Sequence, residues 1–271
     1  MPDWPQYADT QLTQWWTQTP RTFPGTEGTV LNPWSTAFTK GAWKVLHAAT
    51  TYDASGVVIS IISTNSNMYG LLDLGFMVGV TSTVIIPDVP YATIGAGRVG
   101  YELCFPISVP AGTKVVARIS GHTTTPYLTA AVRYYMMGTD CSSPLGIVTN
   151  LGAQLATGTG KILTAPVSAG ALSAWTLLGT TTYPLEQIML CMLSTSTIWS
   201  SGFTLVNIGI GSTQEVVARD LVFTANLSPD MFPNPYMGPF PCHIPANTDV
   251  YVQYQTSAIN QPYHATIMGI S

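Results

Sequence analysis

A chain of 271 residues is comfortable for two domains, each large enough to bury its own core. Only 8% of the residues are charged and 46% are hydrophobic, a balance that excludes a disordered chain. The net charge of −4 and the scattered Lys and Arg residues, which form no run, exclude a nucleic-acid partner that needs a basic patch. So little charge also suggests that other subunits cover much of the surface, since a lone monomer ordinarily keeps a well-charged one.

Residues 1–35 hold Pro2, Pro5, Pro20, Pro24 and Pro33 among Trp4, Trp15, Trp16, Phe23 and Trp34. Prolines favour extended backbone, and large aromatics are strong anchors once another surface buries them. The segment reads as an extended arm, either draped over a neighbouring subunit or folded on its own domain. Those five aromatics are its candidate partner-binding residues. From residue 36 onward, short β-branched and aromatic runs alternate with Gly, Pro, Asn and Ser, and no helical period is sustained. Residues 57–63, 84–86, 113–119, 188–193 and 250–255 are the clearest strands. Residues 139–164 read as a linker, with room for one short ordered piece, between domains at 36–138 and 165–271.

Residues 187–214 carry no charge, but Ser194–Thr197, Ser200, Ser201, Gly202, Gly209 and Gly211 interrupt them. A membrane helix needs about 20 predominantly apolar residues in succession. The stretch reads as two buried strands and a turn, and no membrane partner is expected. No charged segment followed by an apolar run opens the sequence, so no secretion signal is expected either.

The two halves repeat one another. AWKVLHAATTY, which holds Trp43, answers AWTLLGTTTY, which holds Trp175, a shift of 132. VVISIIST at 57–64 answers IMLCMLST at 188–195, a shift of 131. LLDLGF at 71–76 answers LVNIGI at 205–210, setting Asp73 over Asn207. FPISVPAGTKVVARI at 105–119 answers FPCHIPANTDVYVQY at 240–254, and TPYLTAAV at 125–132 answers QPYHATIM at 261–268, a final shift of 136. Pro110–Thr113 and Pro245–Thr248 carry turn chemistry. The alternation after each turn points Val115, Ala117 and Ile119, and likewise Val250, Val252 and Tyr254, inward. A hairpin, FPISV–turn–TKVVARI, is expected to close each unit.

Motifs with chemical meaning are few. Gly95–Gly100 matches GxGxxG, but a strand and Pro106 follow where a dinucleotide site needs a helix N-terminus. His47, His122, His243 and His264 form no metal-binding spacing. Asp88 pairs with Asp220 across the copies, which suggests a shared structural role such as a cap, and Asp73 reads as a loop hydrogen-bonder. The acids form no pair placed for glycoside hydrolysis. Cys104 and Cys191 lie in apolar runs and read as small buried hydrophobes, and none of the four cysteines shows zinc spacing. Asn226-Leu227-Ser228 matches a glycosylation sequon, but Pro229 follows it. No catalytic, cofactor or metal site is expected.

Ala42-Trp43, Leu71 to Gly75, Ile86-Pro87-Asp88 and the run from Phe105 to Arg118 resemble a repeat of tailed-bacteriophage structural proteins. That repeat has an opening Trp, an LLDIGIG-like segment, an IP-acid segment and a closing IPAGT element. The resemblance spans residues 40–135 and, more faintly, 172–270. Copy two departs from it at Asn207, Ala218 and Asn247-Thr248-Asp249. It implies a virion structural protein, assembled in the host cytoplasm, and it identifies no active site.

The expected fold is all-β: a tandem duplication of a jelly-roll-like antiparallel β-sandwich with an extended N-terminal arm. The leading functional expectation is a capsid decoration (cement) protein, a homotrimer bound to the major capsid protein on the outer head. The alternatives are a tail, fibre-tip or receptor-binding component, and a carbohydrate-binding module or glycan-degrading spike.

Overall fold

The structure is a computed structural model that describes residues 16–17, 21–22, 26–27, 29–33, 35–51, 53–63, 68–93, 99–123, 128–135, 146–193, 202–225, 236–257 and 263–271. Among these residues every regular element is a β-strand. The first described elements are β1 (Trp16–Thr17), the small ribbon β2 (Arg21–Thr22) and β3 (Thr26–Glu27), and β4 (Thr29–Leu31). There follow β5 (Lys44–His47), β6 (Gly56–Ser63), β7 (Met68–Val78), β8 (Thr81–Thr93), β9 (Val99–Phe105), β10 (Lys114–Gly121) and β11 (Leu128–Tyr135). One sheet runs β1–β11–β6–β9, with β4 also on β11, and the other runs β5–β10–β7–β8.

Apart from the β2–β3 ribbon, the second half repeats these strands one for one. It holds β12 (Val148–Leu151), β13 (Lys161–Ile162), β14 (Thr176–Thr180), β15 (Leu185–Leu193), β16 (Gly202–Ile210), β17 (Glu215–Ala225), β18 (Tyr236–Ile244), β19 (Asp249–Thr256) and β20 (His264–Ile270). Its sheets run β12–β20–β15–β18, with β13 also on β20, and β14–β19–β16–β17. Counting β4 or β13 as strand one of eight, each unit has sheets ordered 1-8-3-6 and 2-7-4-5. This is the jelly roll, in which two antiparallel Greek-key sheets close on one core. The fold is therefore a tandem jelly-roll duplication, as expected.

Alternation builds each core. Val115, Ala117 and Ile119 of β10, and Val250, Val252 and Tyr254 of β19, are all fully buried, as the sequence pattern required. Val57, Ile59 and Ile61 face them from β6, and Ile188, Leu190 and Met192 do so from β15. Each fully buried aliphatic side chain of this size contributes roughly 1.5–3 kcal/mol of transfer free energy. The interior is thus assembled from both sheets of each unit.

Four expectations need correction. The Pro110–Thr113 turn does not close a hairpin. β9 pairs with β6, whereas β10 pairs with β5 and β7, so the turn carries the chain from one sheet to the other. Local alternation reports which face is buried but not which strand lies alongside. Buried Thr50 organises this crossing: its hydroxyl donates to the Pro110 carbonyl at 2.6 Å and accepts from the Thr113 amide at 2.9 Å. Thr181 repeats both contacts with Pro245 and Thr248, at 2.7 and 2.9 Å. Gly112 (φ 77°) and Asn247 (φ 58°) supply the left-handed residue each turn requires.

Second, the stretch expected as linker, 139–164, contains β12 and β13, both paired with β20. Matching segments of the expected arm, β1 and β4, pair with β11. Without these short flanking strands β11 and β20 would be sheet edges with one side of backbone groups unpaired, and the flanking strands supply the partners. Leu31 and Leu163 occupy equivalent buried positions. Of the candidate arm residues, Trp16 forms β1 opposite Tyr134. Trp4, Trp15, Phe23 and Trp34 lie outside the described residues.

Third, the last repeat match slips by one residue. Ile59 pairs with Val132 and its counterpart Leu190 with Ile267, so the shift there is 135 rather than 136. A one-residue slip exchanges the two faces of a strand, which makes the distinction physical. Fourth, Cys104 is exposed on the outer face of β9, whereas Cys191 is buried as expected.

Candidate functional site

β7 and β8 are paired across a bulge. The register shifts between Leu72 and Leu74, setting Pro87 and Asp88 of β8 opposite the single residue Asp73 of β7. Asp88 there has φ 52°, and its amide donates to Asp73 Oδ1 at 2.9 Å. In the second unit β17 bulges at the same place, Asp220 has φ 55°, and its amide donates to Asn207 Oδ1 at 2.8 Å. The shared function of these residues is to plug the bulge. The sequence pairing of Asp88 with Asp220 reflects this.

Around the first plug lies a cluster that the second unit lacks. Lys40 Nζ is 2.7 Å from Asp73 Oδ1 and 3.0 Å from Asp88 Oδ1, and Arg118 Nε is 2.8 Å from Asp73 Oδ2. The Arg118 guanidinium lies 4.4 Å from the centre of the Trp43 ring, a cation–π geometry. Burial works to raise the Asp73 pKa, but Lys40, the Asp88 amide and Arg118 together hold it below the usual carboxylate range. Asp73 is therefore an anion fixed by three donors. In the second unit the register places Leu172 where Lys40 stands, Asn207 for Asp73 and Gln253 for Arg118. Asn207 Nδ2 and Gln253 Oε1 face each other at 3.4 Å, so a neutral amide pair replaces the ion pair.

This cluster sits where the two units meet. Asn150 of β12 donates from Nδ2 to the Asp88 carbonyl at 2.7 Å. Gly158 (φ 65°) lies so close to Phe38 that an added Cβ would be 2.8 Å from its ring. Phe38 packs near Tyr69, which stacks on His122 at 4.3 Å. The apolar cluster of the first unit continues through Val148, Met189, Cys191, Leu193, Tyr236, Met268 and Ile270 of the second. The joint is thus apolar in its body and polar at the Asp88 bulge.

The remaining candidates stay apart. His47 contacts the Tyr134 hydroxyl at 3.2 Å, His243 meets Glu186 at 3.2 Å, and His264 meets Thr159 Oγ1 at 2.9 Å. Burial lowers the His47 and His264 pKa values and pushes the Cys191 thiol up to about 12. Among the described residues no group of His, Cys, Asp or Glu is placed to hold a metal ion. No helix there is long and apolar enough to cross a membrane. The joint itself was missed from sequence. Its signal was the simultaneous loss of Lys40, Asp73 and Arg118 charges in the second copy.

Fold and cluster together define a tandem jelly-roll protein whose ionic residues brace structure. No family model and no curated protein matches the sequence. Among solved structures the chain is similar to the STIV MCP, a viral major capsid protein, at 10% identity and a TM-score of 0.37, covering 90% of this chain and 96% of that one. It is also similar to the CBM22-1–CBM22-2 tandem domain of Paenibacillus barcinonensis Xyn10C, at 7% identity and a TM-score of 0.29, covering 95% of this chain and 90% of that one.

Proposed function

We propose that this chain is a virion structural protein that works by assembly, and specifically a decoration protein on the outer surface of a phage head, bound to the major capsid protein. The observation that carries the reading is where the polar chemistry is placed. Among the described residues the most elaborate ionic cluster braces a bulge at the joint between units, while large apolar side chains stay exposed on both units. Val78 and Val80 at the β7–β8 turn are 83% and 96% exposed, and Val167 is 94% exposed. Uncharged surfaces bearing such side chains favour burial against other protein. The phage-repeat resemblance in the first unit supplies the virion context, and the aromatic segment 1–35, with Trp4, Trp15, Trp16, Phe23 and Trp34, supplies a candidate grip.

The test is binding of the full-length protein to purified heads lacking it, beside binding to intact host cells. The reading expects saturable binding to heads. Binding to host cells with none to heads overturns it in favour of a tail component. Release of reducing sugar or specific glycan binding, again without head binding, overturns it in favour of a glycan-directed module.

A further inference from the structure

The two units meet through unlike surfaces: β8, the outer edge of one sheet in the first unit, against β12, the flanking strand of the second. Because the units are copies, each surface has a counterpart elsewhere in the chain. The counterpart of β8 is β17, an edge strand paired on one side only, with β16, among the described residues. The counterpart of β12 is β1. Thr17 pairs with Arg133 and Asn150 with Met268, and Arg133 and Met268 occupy the same position of the eighth strand. Thr17 therefore stands in the register of Asn150.

The exposure of β17 is that of a joint left open. Pro90 of β8 is buried and Ile85 packs against the shared apolar cluster. Their register equivalents, Val222 and Val217, are 49% and 40% exposed. Asp220 keeps the bulge and the positive φ of Asp88, so the backbone carbonyl that accepts Asn150 in the internal joint has its equivalent here. An edge strand of this length with exposed valines invites a partner. We infer that β17 of one copy receives the β1 edge of a second copy, repeating between molecules the joint already made within one. This rests on the assembly reading above. The contact is head-to-tail, so it generates a ring if the rotation per joint closes and an open chain if it does not.

The test uses full-length chains in a Cys104→Ser, Cys141→Ser, Cys242→Ser background, which leaves only the buried Cys191. One carries Thr17→Cys and the other Arg219→Cys, an exposed position beside Asp220. A short bis-maleimide should join the two variants when mixed and leave each alone uncross-linked. Joining of Arg219→Cys chains to one another would mean symmetric β17–β17 pairing and overturn the inference, as would no cross-link in the mixture. In parallel, Val217→Asp with Val222→Lys should shift the sedimenting species to monomer with an unchanged melting curve, since both side chains are exposed. Unchanged sedimentation overturns the inference, and so does a wild-type chain that stays monomeric when concentrated. Head binding by a monomeric wild-type chain would leave the assembly reading standing while this joint fails.

Discussion

Replacing Asp73 by Asn separates the plug from the ion cluster. Asn keeps an acceptor for the Asp88 amide, as Asn207 does for Asp220. What it removes is the charge that faces Lys40 at 2.7 Å and Arg118 at 2.8 Å. Removing one partner of a buried pair costs about 3–5 kcal/mol. Two features reduce that here: the Arg118 side chain is 30% exposed, and Lys40 retains Asp88 at 3.0 Å. A loss of about 2–3 kcal/mol is expected for D73N. Transplanting the whole second-unit solution, K40L/D73N/R118Q, should return stability to within about 1 kcal/mol of wild type, because the residues are coupled and their effects do not add. The sign with pH follows from the lowered Asp73 pKa. Its contribution is full above the ordinary carboxylate value and is lost as pH falls through the folded value, so wild type and D73N should converge in acid. Urea unfolding read by tryptophan fluorescence measures this, with Trp43 lying against Arg118. A D73N cost below about 0.5 kcal/mol, or a triple variant less stable than the single one, would refute the reasoning.

T50V and T181V should each cost about 1–3 kcal/mol, since each removes the hydroxyl that bonds a turn amide and a turn carbonyl at once; thermal melts giving less than about 0.5 kcal/mol would count against the turn lock. G158A should destabilise by more than about 1 kcal/mol through its positive φ and the Phe38 ring, and F38A should relieve part of that loss in a double-mutant cycle. Zero coupling would mean that this contact plays no part at the joint. Burial lowers the His264 pKa, so its neutral form contributes stability that is full above the ordinary histidine value and lost as pH falls below it. H264Q should flatten the melting temperature between about pH 7 and pH 5 relative to wild type; parallel curves would contradict this.

Much of the fold was legible because period-two alternation and the ordered repeat are both local signals. Val115, Ala117, Ile119 and their counterparts could be placed inward from spacing alone. The pairing of β9 with β6 could not, because alternation is identical whether the neighbouring strand is next in sequence or across the sandwich. β1, β4, β12 and β13 escaped for a related reason: strands of two to four residues are too short to show a period, and proline and glycine around them read as arm or linker. The sequence marks Asp73 as a hydrogen-bonder, which it is, but its two cations come from residues 33 and 45 positions away. The final one-residue slip arose because gaps cannot be placed within loops by similarity alone.

The most direct measurement is the stoichiometry and location of this chain in purified particles, by quantitative mass spectrometry with cryo-EM of the same preparation. The account predicts a copy number comparable to that of the major shell protein, with jelly-roll density on the outer head surface. A handful of copies confined to the tail, or absence from purified particles, would contradict it.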